Sequence, residues 1–348
     1  MNRPFAALAA WVLLVSASPP PSVDDALIAG DTLPAKLSEF HLLSGRYGEV
    51  PNAGVTPYRL NTPLFSDYAE KFRFYYVPPG RKIGWRDDGA LDFPLGSVLI
   101  KSFGYPPDMR APAKDLRIVE TRLLVRRASG WVALPYIWDA DGSDAELKRA
   151  GLRIDVRWIH LDGKPRAISY AVPNVNQCKG CHDDGAGGIG LIGPKARNLN
   201  RDGQLEAAYR AGNLDRLPAN PPRLPVWDDP ATGSVAIRAR AYLDVNCAHC
   251  HNRNGPANTS GLWLNWEQLP GPNLGIHKRP TAAGRGSGDG EFAIDPGHPE
   301  RSIMLFRMQN LDPGIAMPEL GRASVHEEAV ALLSQWIATI PMQDAPQP

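Results

Sequence analysis

Between residues 71 and 172 apolar and polar positions alternate in short runs, the period of half-buried strands. Phe72-Arg73-Phe74-Tyr75-Tyr76-Val77 is one such run, closed by Pro78-Pro79-Gly80, and residues 97–103 are another, opened by Pro94-Leu95-Gly96. Residues 116–127 and 131–138 flank the turn Ala128-Ser129-Gly130 as a hairpin, Leu152, Ile154, Val156 and Trp158 alternate with Arg153, Asp155 and Arg157, and residues 167–172 add a last strand. One helical interlude is predicted here, over 143–150. Strands this closely spaced predict an antiparallel sheet, sandwich or open barrel, not βαβ units.

The pattern then changes. Short helices are predicted over 203–211 and 234–246, and a longer one over 324–340. There Ser324-x-x-Glu327 reads as a capping box, and Val330, Leu333, Trp336 and Ile337 form one apolar face. Pro218, Pro221, Pro222 and Pro225 mark a semi-rigid boundary. The expected fold class is α+β in two domains: a mainly antiparallel β domain over 24–212, a Pro-rich linker over 213–229, and an all-α domain over 230–343.

The 348 residues, 43% of them hydrophobic, suffice for two ordinary cores. A formal net charge of +1 gives no global field that would mark a nucleic-acid or anionic-membrane binder. Residues 1–17 have the order of parts of a signal peptide: Arg3, an apolar run over 5–15, then Ser16-Ala17-Ser18. That run is shorter than the roughly 20 residues a membrane span needs. The expectation is an exported protein of the periplasm with no stable membrane span, an uncleaved anchor being the alternative.

Four cysteines remain, and two motifs consume them: Cys178-Lys179-Gly180-Cys181-His182 and Cys247-Ala248-His249-Cys250-His251. In C-x-x-C-H two thiols add to the vinyl groups of a haem while the adjacent histidine meets the iron. Two copies predict two covalently bound haem c groups, attached through Cys178, Cys181, Cys247 and Cys250, with His182 and His251 as iron ligands. The competing chemistries are zinc held by two Cys pairs and a redox dithiol. Gly185-Ala186-Gly187-Gly188-Ile189-Gly190 formally matches a dinucleotide fingerprint, but no strand enters it and no helix leaves it, so a loop is expected.

The second motif follows a predicted helix and precedes Ala316-Met317-Pro318 and a last helix. In this order it resembles class I cytochrome c domains, which implies Met317 as the second ligand of that iron. The first motif closes a β region containing Phe93, Pro94, Gly96, Lys101 and Trp131. It is loosely similar to β-sheet cytochromes of the cytochrome c-prime-beta kind. Together they look like the exported two-haem c-type cytochromes of bacteria. For the far side of the first iron the candidates are His160, Lys101 and Met109, or no ligand at all. His249 lies inside its motif and cannot easily reach its own iron; His277 and His298 read as loop residues. Two fully ligated haems imply an electron carrier working between redox partner proteins. An open first haem implies an enzyme or a binder of nitric oxide or peroxide, with the second as relay.

Overall fold

The computed structural model describes residues 22–342; the expected export signal at 1–17 lies outside them. Among the described residues the strands are β1 (Leu43–Ser44), β2 (Val50–Pro51), β3 (Val55–Pro57), β4 (Glu70–Tyr76), β5 (Val98–Tyr105), β6 (Arg117–Arg127), β7 (Gly130–Trp138), β8 (Ala145–Leu147), β9 (Leu152–Ile159) and β10 (Pro165–Val172). The helices are α1 (Asp25–Ala29), α2 (Val175–Cys181), α3 (Ala196–Leu199), α4 (Gln204–Arg210), α5 (Val235–Asn246), α6 (Ile303–Gln309) and α7 (Glu327–Thr339).

Strands β3 to β8 form one six-stranded antiparallel meander in chain order, and β9 and β10 form a separate hairpin. Alternation explains why the sheet has two covered faces. Phe74, Tyr76, Val98, Ile100, Leu123, Val125, Leu134 and Tyr136 point one way, onto Ile28, Leu37, Phe40 and Leu42 of the N-terminal segment. The opposite face carries Tyr75, Leu99 and Leu124 at one end, packed with Leu60, Trp85, Phe93, Leu199 and Leu214. At its other end Phe103, Tyr105 and Val119 pack with Val156, Trp158, Tyr170 and Val172 of the β9–β10 hairpin.

The helix expected over 143–150 is instead β8. Ala145 pairs with Trp138, the Leu147 N–H donates to the Ala35 carbonyl, and Asp144 accepts from the Ser38 hydroxyl at 2.6 Å. Partners on the sheet edge and the N-terminal segment outweigh a weak local helical preference. The expected capping box at 324–327 does not form either. Helix α7 starts at Glu327 behind His326, and the Ser324 hydroxyl donates to Asp67.

The expected fold class needs a larger correction. Of the described residues 24% are helical and 23% are in strands, and no separate all-α class I cytochrome domain stands among them at the C-terminal end. That region holds helices of twelve, seven and thirteen residues joined by 3-10 turns and irregular loops. Helices α5 and α7 share a core through Ala239, Leu243, Ala329, Leu333 and Trp336. The physical reason it is not a free-standing bundle is the segment between β3 and β4, which bonds to everything around it. Thr62 donates to the Pro225 carbonyl, the Phe65 N–H donates to Asn246 at the end of α5, and Leu64 packs among Leu224, Ala241 and Val245. Asp67, in left-handed backbone at φ 50°, accepts from the Ala323 and Ser324 amides and the Ser324 hydroxyl at 2.7–2.8 Å. The proline-rich stretch 213–229 is packed too, with Leu214, Leu224 and Trp227 buried. No helix among the described residues is long and apolar enough to cross a membrane.

Candidate functional site

The first C-x-x-C-H sits on helix α2. Asn174 and Gln177 cap each other's backbone amides at 2.9 Å, which starts the helix directly after β10. Cys178 and Cys181 thereby fall one turn apart, and His182 terminates the helix. The glycine-rich stretch after it is a closed loop. Gly185 and Gly187 take positive φ, and a Cβ at Gly188 would run into the Asp184 carboxylate. This tight return brings the Gly190 carbonyl 2.8 Å from His182 Nδ1.

The second motif follows α5 and uses a different acceptor. His251 Nδ1 lies 3.2 Å from the Ser260 hydroxyl, which itself donates to the Ala257 carbonyl at 2.6 Å. With that proton committed, Ser260 accepts from His251. A backbone carbonyl only accepts, so His182 likewise donates through Nδ1. Both rings are thus fixed in the tautomer that leaves Nε2 with a lone pair. Burial lowers both histidines to about 4, so both are neutral at pH 7. A histidine whose Nδ1–H is tied and whose Nε2 is bare is arranged as a metal ligand.

All four cysteines are free. Burial raises the Cys178 and Cys181 thiols, and pushes Cys250 up to about 11 and Cys247 up to about 12. A dithiol redox centre requires the opposite shift, because the thiolate is its nucleophile. Among the described residues no group of three or more His, Cys, Asp or Glu side chains comes together as a metal site, so the thiols do not gather into one zinc-type set.

Cys178, Cys181 and His182 open onto a cavity of about 240 Å³ between the sheet and the C-terminal helices. Of the residues expected at the iron sites, Lys101 and Met317 also line it. Met317 therefore shares a cavity with the first motif, whereas of the second motif only His249 reaches that lining. His160 and Met109 are not part of it: Met109 is buried in the core beneath the β9–β10 hairpin, and His160 packs edge-on against Tyr68 with Nε2 3.5 Å from Glu328. The two motifs are neighbours. A Cβ on Gly185 would touch the Asn254 carbonyl at 3.7 Å, and after burial it is His182 that lowers His249 next.

Two histidines in the cavity went unassigned in the sequence. His249 has a buried Nδ1 without a hydrogen-bond partner among the described residues. His326 stacks on Phe65 at 4.1 Å and its Nδ1 is 3.0 Å from the Tyr242 hydroxyl. Burial, then Lys71, lowers it to about 3. For His249 a signal existed, since its side chain must leave the motif on the side away from its own histidine. For His326 none did, because its site is assembled from β4's approach loop, α5 and α7.

The sheet contributes cations. Arg73, Lys101 and Arg122 line the cavity from β4, β5 and β6. Arg122 donates to Glu120 at 2.8 Å, and Tyr170 donates to the same carboxylate at 2.7 Å. Burial lowers Lys101 well below the ordinary lysine range, and Arg73, Lys71 and Arg122 lower it further.

No protein-family model, curated protein or solved structure matches the chain.

Proposed function

We propose that the chain is an exported c-type cytochrome of the bacterial periplasm, carrying two covalently attached haems and passing electrons between redox partner proteins. One observation carries the proposal: two C-x-x-C-H motifs, each with its histidine held neutral through Nδ1 and its Nε2 bare, lie beside each other. Haem bound there would supply a one-electron ferric–ferrous couple. The chain supplies the rest. Cys178, Cys181, Cys247 and Cys250 would provide the thiols for attachment, and His182 and His251 would each offer a nitrogen to the iron. The Gly190 carbonyl and Ser260 orient those rings and raise their basicity as donors to a metal. Met317 offers a thioether, which favours reduced iron. The close approach of Gly185 to Asn254, each in the loop after its motif, supports short-range transfer between the two haems. Mass spectrometry of the mature chain should show two haem additions; fewer than two would remove this function.

A second reading rests on the cavity itself. Lys101, His249, His326 and Met317 all border the first motif's cavity, so a haem held there would meet either one of these side chains or a small ligand entering the cavity. In that case the first haem would bind or turn over nitric oxide or peroxide, with the second as its electron relay. Optical titration with carbon monoxide separates the two: a spectral shift supports the second reading, and two unreactive low-spin haems remove it.

A further inference from the structure

Arg73, Lys101 and Arg122 occupy one rung of the sheet. Arg73 is the register partner of Lys101, and Lys101 is the register partner of Arg122. With strands about 4.8 Å apart, three basic side chains stand in a row about 10 Å long. Like charges directly opposite each other destabilise a sheet, and a buried charge without a partner is unfavourable. One carboxylate answers this row: Glu120, which binds Arg122 and is itself fully buried. Arg73 is 9% exposed and, among the described residues, donates one long bond of 3.5 Å to the Lys71 carbonyl. Lys101 Nζ lies 4.7 Å from the centre of the Phe103 ring and, among the described residues, forms no ion pair or hydrogen bond. The rows above and below are apolar or mixed: Tyr75, Leu99 and Leu124 on one side, Lys71, Phe103 and Glu120 on the other. Within this row the basic groups without a carboxylate partner are Arg73 and Lys101, and both line the cavity.

We propose that the Arg73–Lys101–Arg122 row is a binding site for carboxylate or a comparable oxyanion carrying up to two negative charges. The Arg73 guanidinium supplies a planar fork suited to two oxygens, and Lys101 supplies an amine beside it whose charged form an arriving anion favours. Arg122, already paired with Glu120 and Tyr170, holds the row's geometry and adds field. Two sources can deliver this chemistry: the propionate groups of a haem attached at Cys178 and Cys181, or a free oxyanion entering the cavity. The site itself is a property of the sheet, and the first source alone rests on the function proposed above.

The test uses the full mature chain as purified, with haem content determined by mass. Inorganic phosphate is titrated calorimetrically at low ionic strength into wild type, Arg73→Gln, Lys101→Met and the exposed control Arg81→Gln. Both row substitutions remove repulsion, so they should fold at least as well as wild type, which thermal unfolding checks. If the occupant is free, phosphate binds wild type and Arg81→Gln, and binds about tenfold to a hundredfold more weakly in both row variants. If the occupants are propionates, wild type binds no phosphate, and Arg73→Gln and Lys101→Met each lower the midpoint potential of one haem, because removing positive charge favours ferric iron. Wild type without phosphate binding, together with unchanged potentials in both variants, overturns the proposal. A chain found without haem is decided by the phosphate titration alone, so loss of the haem function and loss of this site are told apart.

Discussion

At the scale of single residues, the site is built from neutral histidines. His182, His249 and His251 are each lowered to about 4 and His326 to about 3, with burial the leading cause in all four. His326 gives the cleanest consequence because it lies outside both motifs. In the unfolded chain it titrates near 6.5, and in the fold near 3. Between those values the unfolded state holds one more proton, so stability rises with pH and is lost as pH falls from about 6.5 toward 3. His326→Gln is expected to flatten the dependence of unfolding free energy on pH in that window by up to about 1.4 kcal/mol per pH unit, one proton's worth. Denaturant titrations at pH 4, 5, 6 and 7 check this, and an unchanged slope would mean that His326 is protonated in the fold. The motif cysteines and histidines were legible in the sequence because their chemistry depends on adjacency along the chain. His326 was not, since its neighbours Phe65 and Tyr242 come from positions far apart.

At the scale of elements, alternation located the long strands but does not tell what their polar positions face. Arg73, Lys101 and Arg122 are the polar members of alternating runs, for which solvent is the ordinary expectation. The sheet has protein on both faces, so these positions point into a cavity instead. A single strand cannot show this, because it depends on the segments that cover the second face. The same limit applies to β8, whose partners Trp138 and Ala35 decide its conformation. The segment between β3 and β4 had no periodicity at all and yet connects the sheet to the C-terminal helices. Asp67 is its main anchor, and its backbone lies in the left-handed region that Asp and Asn tolerate and Ala resists. Asp67→Ala is expected to cost about 3 kcal/mol, through loss of charge-assisted bonds and exposure of two amides to an apolar partner. Asp67→Asn keeps an acceptor and the backbone preference and should cost roughly 1 kcal/mol. Urea unfolding of both variants measures the difference; equal losses would show that charge alone matters at this position.

At the scale of the whole molecule, the absence of a free-standing helical bundle changes how the chain should unfold. A division into a β domain and an α domain joined by a proline spacer would allow two independent transitions. The contacts run the other way. Asp244 on α5 binds Lys195 and Arg197 from the segment after the first motif, at 2.9 and 3.1 Å, and is almost fully buried. Its carboxyl is held below the usual range by those two cations against the opposing effect of burial. Removing one partner of such a group leaves a buried charge unpaired. The Arg197 side chain also continues to Glu267, while its carbonyl accepts from the Leu224 amide inside the proline-rich stretch. Sheet, linker and helices thus share one network, and its disruption at one point should be felt throughout. Unfolding followed by the far-ultraviolet helix signal and by pulsed hydrogen exchange of the β4–β7 amides is expected to give coincident transitions. In Arg197→Ala both transitions should move together, to lower denaturant. Separation of the two curves in the wild-type chain would show that the helical part folds on its own, and the cavity between the parts would then be a hinge and not a fixed site.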